Sequence, residues 1–570
     1  MLKELFLILM KGKIKIQMTN DAEILRALPV LQKIWNTYTL SDYFQETLAP
    51  LSQIESIPER KMMIGAMSEE IERLYGKETA RDVCEQLEIF PVVETGTHLA
   101  FLRDYDSPKK DDLRSRLNQN VLISSALMRH MGYKYHVGIY GSNVSLNHPC
   151  SGGYFQLGDD IFPVTQPRQI GQVCLYDAPG IARVHFNESL PLVAKLNMLQ
   201  EVLTDEYIAK TQTPRKEMLM KTKKIIHSLL APVSNGKMNY NAVEKQYVSL
   251  NANNQSFVRA ALLLLSAEAY KKYGYTFSDV DKQYQELSEV FNRQDLKLPD
   301  QVALIQAKTI NKSLEGADIT HISIDAVEVA RKFLIASLEN KDSLWYYIFR
   351  NPENFEKMHQ TFIGIRGSWK ANESPFDYVG RENGFAKGIS LPLDAIDHQP
   401  ETLLPLLKEK KIMPSSALMV LIFQSASMMA HGGFFQTTYA DKIKKRFSEL
   451  LQSMGETKRA NQLQKLPVDM ALLSLGVVND TSGNPMKLSE ISRMSEDKRK
   501  ALMDMIPMYP SCRAVKNALP VLRKYLDLTA PGYIQTEAAN AETPQLICPH
   551  DNRLGMYSLA QRNNILARAI

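Results

Sequence analysis

Cysteine is scarce in this chain: Cys84, Cys150, Cys174, Cys512 and Cys548 are five in 570 residues, widely spaced and with no C-x-x-C pair. That spacing excludes a zinc ribbon or a thioredoxin-like redox motif, and so few thiols suit a reducing compartment, so the expected localisation is cytoplasmic. Long hydrophobic runs are missing as well. The N-terminal apolar run, residues 5–10, has six residues. It is too short for a secretory segment, and no small-residue cleavage site follows it. A start at Met10 or Met18 would fit equally well, because Thr19, Asn20 and Asp21 can cap the first helix. The most apolar window, SSALMVLIFQSASMMA at 415–430, carries Gln424 and several serines. It is short and mixed for a bilayer span, and a single buried core helix is expected there, with no membrane span anywhere.

Charge of one sign is not in excess either. Sixty-eight lysines and arginines face 63 acids, a net +5, and the basic residues are scattered, which argues against a nucleic-acid partner. Neither a G-K-[ST] phosphate loop nor G-x-G-x-x-G occurs, so no nucleotide motif identifies a cofactor, and the cofactor stays unassigned. What is present is an ordinary globular composition, 44% apolar and 23% charged, over a length that calls for more than one domain.

The pattern divides the chain in two. The expected fold class is α+β: a mixed α/β N-terminal region followed by a predominantly α-helical remainder, multidomain and helix-rich overall. The expected units are a helical segment over 1–87, the mixed region over 88–190, a helical domain over 191–349, a mostly helical domain with a short β patch over 350–530, and a tail with a terminal helix over 531–570. Residues 19–90 read as three or four helices, with Pro29 kinking or splitting the first. EIFPVVETG then reads as a strand, which Pro91 would push toward a sheet edge. DDLRSRLNQNVLISSALMRHMG returns to helical period and ends at Gly132, a natural C′ residue. YKYHVGIYGSNVSL is a second strand, so a βαβ unit with parallel strands is expected. FIGIRGSWK and GFAKGISLPL are expected to pair as a hairpin with a long polar connection.

Reactive side chains concentrate between residues 92 and 160, where four of the eleven histidines fall: His98, His130, His136 and His148. E-T-G-T-H places Glu94 and His98 at the carboxyl end of the first expected strand, where ligands gather in open α/β sheets. Alternation along the second strand puts His136 with Gly138 and Tyr140 on its less apolar face. The loop G-S-N-V-S-L-N-H-P-C-S-G-G that follows is dense in groups that can bind a carboxylate, amide or phosphate. The expected catalytic residues are therefore Glu94, His98 and His136. Thr97, Arg103, Asn120, Ser142, Asn143, Asn147 and Ser151 are expected to bind ligand, together with Gln436 from the distant turn H-G-G-F-F-Q-T-T-Y at 431–439. Cys150 is a candidate nucleophile, although a lone cysteine is more often structural. Glu94, His98, His136 and His148 are alternative ligands for zinc or iron, but neither H-E-x-x-H nor H-x-H is present, so no metal is assigned.

Two functions of different class follow. One is an enzyme acting on a small polar metabolite, with acyl or amide chemistry, a hydrolase or a transferase, working in a cleft between the α/β region and the helical body. The alternative is a non-catalytic interaction protein, a helical scaffold that binds a partner through the N-terminal loops. A small-molecule ligand is the expected partner, and the sequence does not specify an oligomeric state. Convergence of Glu94, His98 and His136 on one concave, partly buried cleft would favour the enzyme or a ligand receptor, and their dispersion the scaffold.

Overall fold

The computed structural model describes residues 24–25, 28–95, 113–143, 295–364, 369–382, 385–432, 436–468 and 494–519, with short pieces between 154 and 293 and between 477 and 492. Among the described residues the fold is helix-rich α+β, with a four-stranded parallel sheet, a four-stranded antiparallel sheet and two separate two-stranded antiparallel pairs. None of the described helices is long and apolar enough to cross a membrane.

Proline sets the first helices. Pro29 stands at the first position of α1 (Pro29–Asn36), and Pro58 does the same for α3 (Pro58–Tyr75). At that position the missing N–H has no intrahelical partner to lose and the fixed φ suits the helix. Pro29 therefore starts a helix, separating it from the helical turn at Ile24 and Leu25. Between them, α2 (Leu40–Leu48) opens with a capping box in which Thr39 and Asp42 satisfy each other's backbone N–H. Gly76, at φ +91°, lets the chain turn from α3 straight into α4 (Lys77–Ile89).

Strand β1 (Val92–Thr95) follows, buried at all four residues. Pro91 does not make it an edge strand. The proline lies just before the ladder, its carbonyl accepts from Met429 N at 2.8 Å, and β1 is paired on both sides. Helix α5 (Leu113–His130) ends as its glycine foretells. Gly132 takes φ +86°, and Tyr133 N donates to Met128 O at 3.1 Å. Strand β2 (Tyr135–Tyr140) then pairs parallel with β1, which completes the expected βαβ unit. Further along, Val173–Cys174 forms a short strand, β3, and α6 (Leu298–Leu314) leads into β4 (Thr320–Asp325) and α7 (Ala326–Glu339). A long hairpin, β5 (Glu373–Glu382) with β6 (Phe385–Pro392), precedes β7 (Ile412–Pro414), α8 (Ser416–Ser425), β8 (Met429–Gly432) and α9 (Gln436–Ser453).

The parallel sheet has the order β8-β1-β2-β4, so half of it comes from the part of the chain expected to be helical. The apolar window at 415–430 is buried, but it is two elements. Helix α8 stops because Ser427 takes a left-handed φ of +52°, with Ser427 N bonded to Gln424 O and Met428 N to Phe423 O, and the remainder becomes β8. The hairpin is also displaced from its expected place. FIGIRGSWK begins at the end of the helix Pro352–Phe362, and the strand that pairs with β6 is ESPFDYVGRE, with only residues 383 and 384 between the two. The antiparallel sheet runs β7-β5-β6-β3.

One cluster of buried apolar side chains runs from Ile24 to Leu519, with Trp345, Tyr43, Phe44, Phe333 and Phe349 among its largest members. Both faces of the parallel sheet belong to it, through Val93, Val137, Ile322 and Ile324 on one side and Val92 and Tyr140 on the other. Each fully buried side chain of this size contributes roughly 1.5–3 kcal/mol. The polar groups described next are held inside that apolar packing.

Candidate functional site

Register explains how four distant residues meet. Side chains alternate along a strand, and partners in a parallel pair point to the same face. Glu94 is paired with His431 on β8 and with Gly138 on β2. His136 is two residues before Gly138, hence on the same face, and is paired with His321 on β4. One face of the sheet thus carries His431, Glu94, His136 and His321, one from each strand, and none is more than 3% exposed.

Gly138 makes the row possible. A Cβ there would lie 2.6 Å from Cε1 of His321, so the absent side chain is the space that this imidazole uses. Helix α5 lies against β2 and supplies two buried polar residues one turn apart, Asn120 and Ser124.

The contacts are close. The amide of Asn120 donates to Oε1 of Glu94. Nε2 of His136 is 2.7 Å from Oε2 of Glu94, outside the angular range of a hydrogen bond. Nδ1 of His136 is 2.8 Å from Nδ1 of His321, so one of those two nitrogens carries the proton. Oγ of Ser124 lies 3.3 Å from Nε2 of His431, and Oγ1 of Thr95 donates to the His431 carbonyl at 3.1 Å. Three atoms of the cluster have no hydrogen-bond partner: Oε2 of Glu94, Nε2 of His136 and Nδ1 of His431. One ligand atom from each of these three residues lies within 4.8 Å of the others.

Electrostatics fixes most of the charges. Burial works to raise the pKa of Glu94, but the imidazoles of His136 and His431 and the amide of Asn120 outweigh it, and the carboxyl stays below the usual range. Burial pushes His431 down to about 4 against the attraction of Glu94. Burial, with His136 adding to it, holds His321 well below the usual imidazole value. At neutral pH the site therefore contains a carboxylate beside two uncharged imidazoles, His321 and His431, all able to offer lone pairs.

The structure places some of the residues expected at the site beside one another and others apart. Glu94, His136 and Asn120 are together, and Asn120 is there because α5 turns that position toward the sheet. Ser142 and Asn143 are engaged elsewhere. Ser142 donates through Oγ (2.6 Å) and N (3.2 Å) to Asp325, and the Asn143 amide is 3.5 Å from the Pro414 carbonyl. Asp325 also caps α7 through Val327 N. Thr97, His98, Arg103, Asn147 and Ser151 lie outside the described residues, as do His148 and Cys150. Gln436 opens α9, its side chain outside the described set.

His321, His431 and Ser124 belong to the site without being candidates from the sequence, although His431 opens the turn at 431–439 from which Gln436 is expected to bind. A signal existed for the first: T-H-I-S-I-D alternates polar and apolar over the whole of β4. His431 sits at the end of an apolar run whose last residues carry no period of their own. Compared with protein-family models, curated proteins and solved structures, the chain matches none of them.

Proposed function

We propose that the chain is an enzyme acting on a small polar metabolite, by acyl or amide hydrolysis or transfer, with the Glu94–His136–His431 cluster as its reactive centre. The observation that carries this reading is a set of three buried atoms without a hydrogen-bond partner, one on each residue, two of which, Oε2 of Glu94 and Nε2 of His136, face each other at 2.7 Å. A buried polar atom without a partner costs roughly 1–3 kcal/mol, and more when it is charged. A core that needed only packing would fill these positions with apolar side chains at no such cost. Perturbed groups gathered in this way are a recurrent mark of reactive centres.

In this reading the lone pairs of the centre take up a proton from substrate or from attacking water, and Glu94 stabilises the positive charge that results. His321 extends the centre through its contact with Nδ1 of His136. Substrate reaches it from the carboxyl ends of β1 and β2, where ligands meet open parallel sheets. Residues 96–112 and 144–153 follow those ends and contain the further expected ligands Thr97, His98, Arg103, Asn147 and Ser151.

The test is turnover of a panel of small esters, amides and thioesters by the full chain, with mass spectrometry of molecules retained through purification. Glu94→Gln and His136→Gln should abolish turnover of whichever substrate is found while the protein stays folded. No turnover and no retained molecule in wild-type protein, or variants as active as wild type, would overturn the reading in favour of an interaction protein.

A further inference from the structure

We infer that Glu94, His136 and His431 form a binding site for one divalent first-row transition-metal ion. The inference goes beyond the enzyme reading and does not need it, since an ion held here can serve structure as well as chemistry; where both hold, the ion takes up the three lone pairs and would itself activate the attacking water in their place.

The donor set is the first argument. Two imidazoles and one carboxylate suit zinc and ferrous iron, and in such three-ligand sites further positions are left for water or substrate. The three residues come from three adjacent strands, β8, β1 and β2, so the sheet itself fixes their spacing.

The second argument is the way each side chain is used. Every one of the three has one polar atom engaged by a neighbour and the other left over. Glu94 gives Oε1 to the Asn120 amide and keeps Oε2. His136 gives Nδ1 to His321 and keeps Nε2. His431 gives Nε2 to Ser124 and keeps Nδ1. Metal-bound imidazoles ordinarily have the second nitrogen donating to an outer partner, which fixes the tautomer and leaves the lone pair of the first for the ion. Here the Nδ1–H of His136 would donate to His321, and the Nε2–H of His431 to the Ser124 hydroxyl. His321, Ser124 and Asn120 are then positioning residues.

Distance is the third. Around a tetrahedral ion with bonds of about 2.0 Å, ligand atoms stand roughly 3.3 Å apart. One carboxylate oxygen of Glu94 and one ring nitrogen each of His136 and His431 fall within 4.8 Å of one another. The Glu94–His136 contact, at 2.7 Å and off hydrogen-bond geometry, needs to open by about half an ångström. An ion between the two would replace a close approach that otherwise leaves both atoms unpaired. Among the described residues, the buried histidines outside the sheet row, His359 and His398, have no such carboxylate: the polar contacts of their rings are the Glu373 carbonyl and the Ser374 hydroxyl.

The test uses the full chain. Protein purified without chelator, in parallel under air and under anaerobic conditions, is assayed for zinc, iron, manganese, cobalt and nickel by elemental analysis. Chelated protein is then titrated with zinc, ferrous and cobaltous ions, read by calorimetry, by thermal shift and by the visible absorption of bound cobalt. The expectation is one ion per chain, and a cobalt spectrum of low coordination number. Glu94→Gln and His431→Gln should weaken binding by at least about 100-fold, and the exposed-residue control His130→Gln should leave it unchanged. Wild-type protein that neither retains nor takes up an ion would overturn the inference, as would well-folded variants that bind like wild type. If the variants do not fold, the wild-type stoichiometry and cobalt spectrum decide alone. Turnover that survives complete removal of metal would reject a catalytic ion and leave the enzyme reading intact. A stoichiometric ion in a protein with no turnover would do the reverse.

Discussion

Among the described residues, histidines are buried in two places, and the two are built on different principles. Under the antiparallel sheet, His359 and His398 are packed among rings: His398 stacks on Phe355 at 4.4 Å between centroids, and His359 on Trp369 at 5.8 Å. Their polar contacts are a backbone carbonyl and a serine hydroxyl, and a single ring nitrogen, Nδ1 of His359, is without a partner. On the parallel sheet, three histidines stand around an ionised carboxylate, and three unpaired atoms belong to three different residues. Burial alone does not separate the clusters. What does is the carboxylate, together with lone pairs that converge from separate strands. Imidazole treated as a flat, weakly polar ring fills a core, whereas imidazole treated as a donor to a shared point makes a site.

The most severe way to break the contrast is to remove the support of one side. Helix α8 delivers the chain into β8 and so carries His431. Leu421, 1% exposed in that helix, cannot become a carboxylate without leaving an unpaired buried charge. Leu421→Asp should cost upwards of about 4 kcal/mol and leave aggregated protein; a soluble variant with unchanged Tm would contradict the buried helix. Next in size are matched substitutions in the two clusters. Glu94→Gln or His136→Gln should lower turnover by roughly 100- to 10,000-fold with little change in Tm. His359→Gln or His398→Gln should do the opposite, lowering Tm and sparing turnover. Equal effects from both pairs would erase the distinction.

Acid should find the structural cluster too. Burial, with the nearby His359 adding to it, pushes His398 down to about 4, well under its unfolded value near 6.5. Above pH 6.5 neither state binds the proton, and the contribution to stability is complete. As pH falls from 6.5 to 4 the unfolded chain takes a proton that the folded one refuses, so stability is lost across that window, by up to about 3 kcal/mol. Urea midpoints followed from pH 7 to pH 4 should decline more steeply for wild type than for His398→Gln. Identical slopes would remove His398 from the account. The smallest effect expected is that of Gly138→Ala. A methyl group 2.6 Å from the His321 ring should force that imidazole aside at a cost of about 1–2 kcal/mol, and a Tm equal to wild type would show that the ring does not need the space.

The βαβ unit was legible because its signals are local. Pro91, Gly132 and the alternation through His136 each act within a few residues, and Glu94, His136 and Asn120 came into view with them. The other half of the sheet was not legible, for physical reasons. β8 is four residues long and follows a helix of the same apolar character, and what divides them is the backbone of Ser427, a residue type with no strong left-handed preference. β4 alternates clearly, but between long helices its six residues carry little weight. His321 is therefore unmarked in the sequence, and His431 is visible only as the first residue of the turn at 431–439. Which strands neighbour one another is a property of the whole chain, and no window of sequence contains it. Ser142 shows the converse: a loop residue chosen for its hydroxyl turns out to hold Asp325, itself the cap of α7.

Strand β4 lies at the margin of its sheet, and its outward-facing groups are already taken. Asn311 spans the backbone of His321, with its amide nitrogen on the carbonyl at 2.9 Å and its oxygen on the N–H at 2.7 Å. The hydroxyl of Tyr75 does the same for Ser323, at 2.8 and 2.9 Å. These two side chains imitate one more strand without being one. A sheet margin left open is a template on which another polypeptide can dock or on which copies can pile into fibrils. With its lattice of donors and acceptors closed by its own amide and phenol, this margin offers no such template, and growth of the sheet stops at β4.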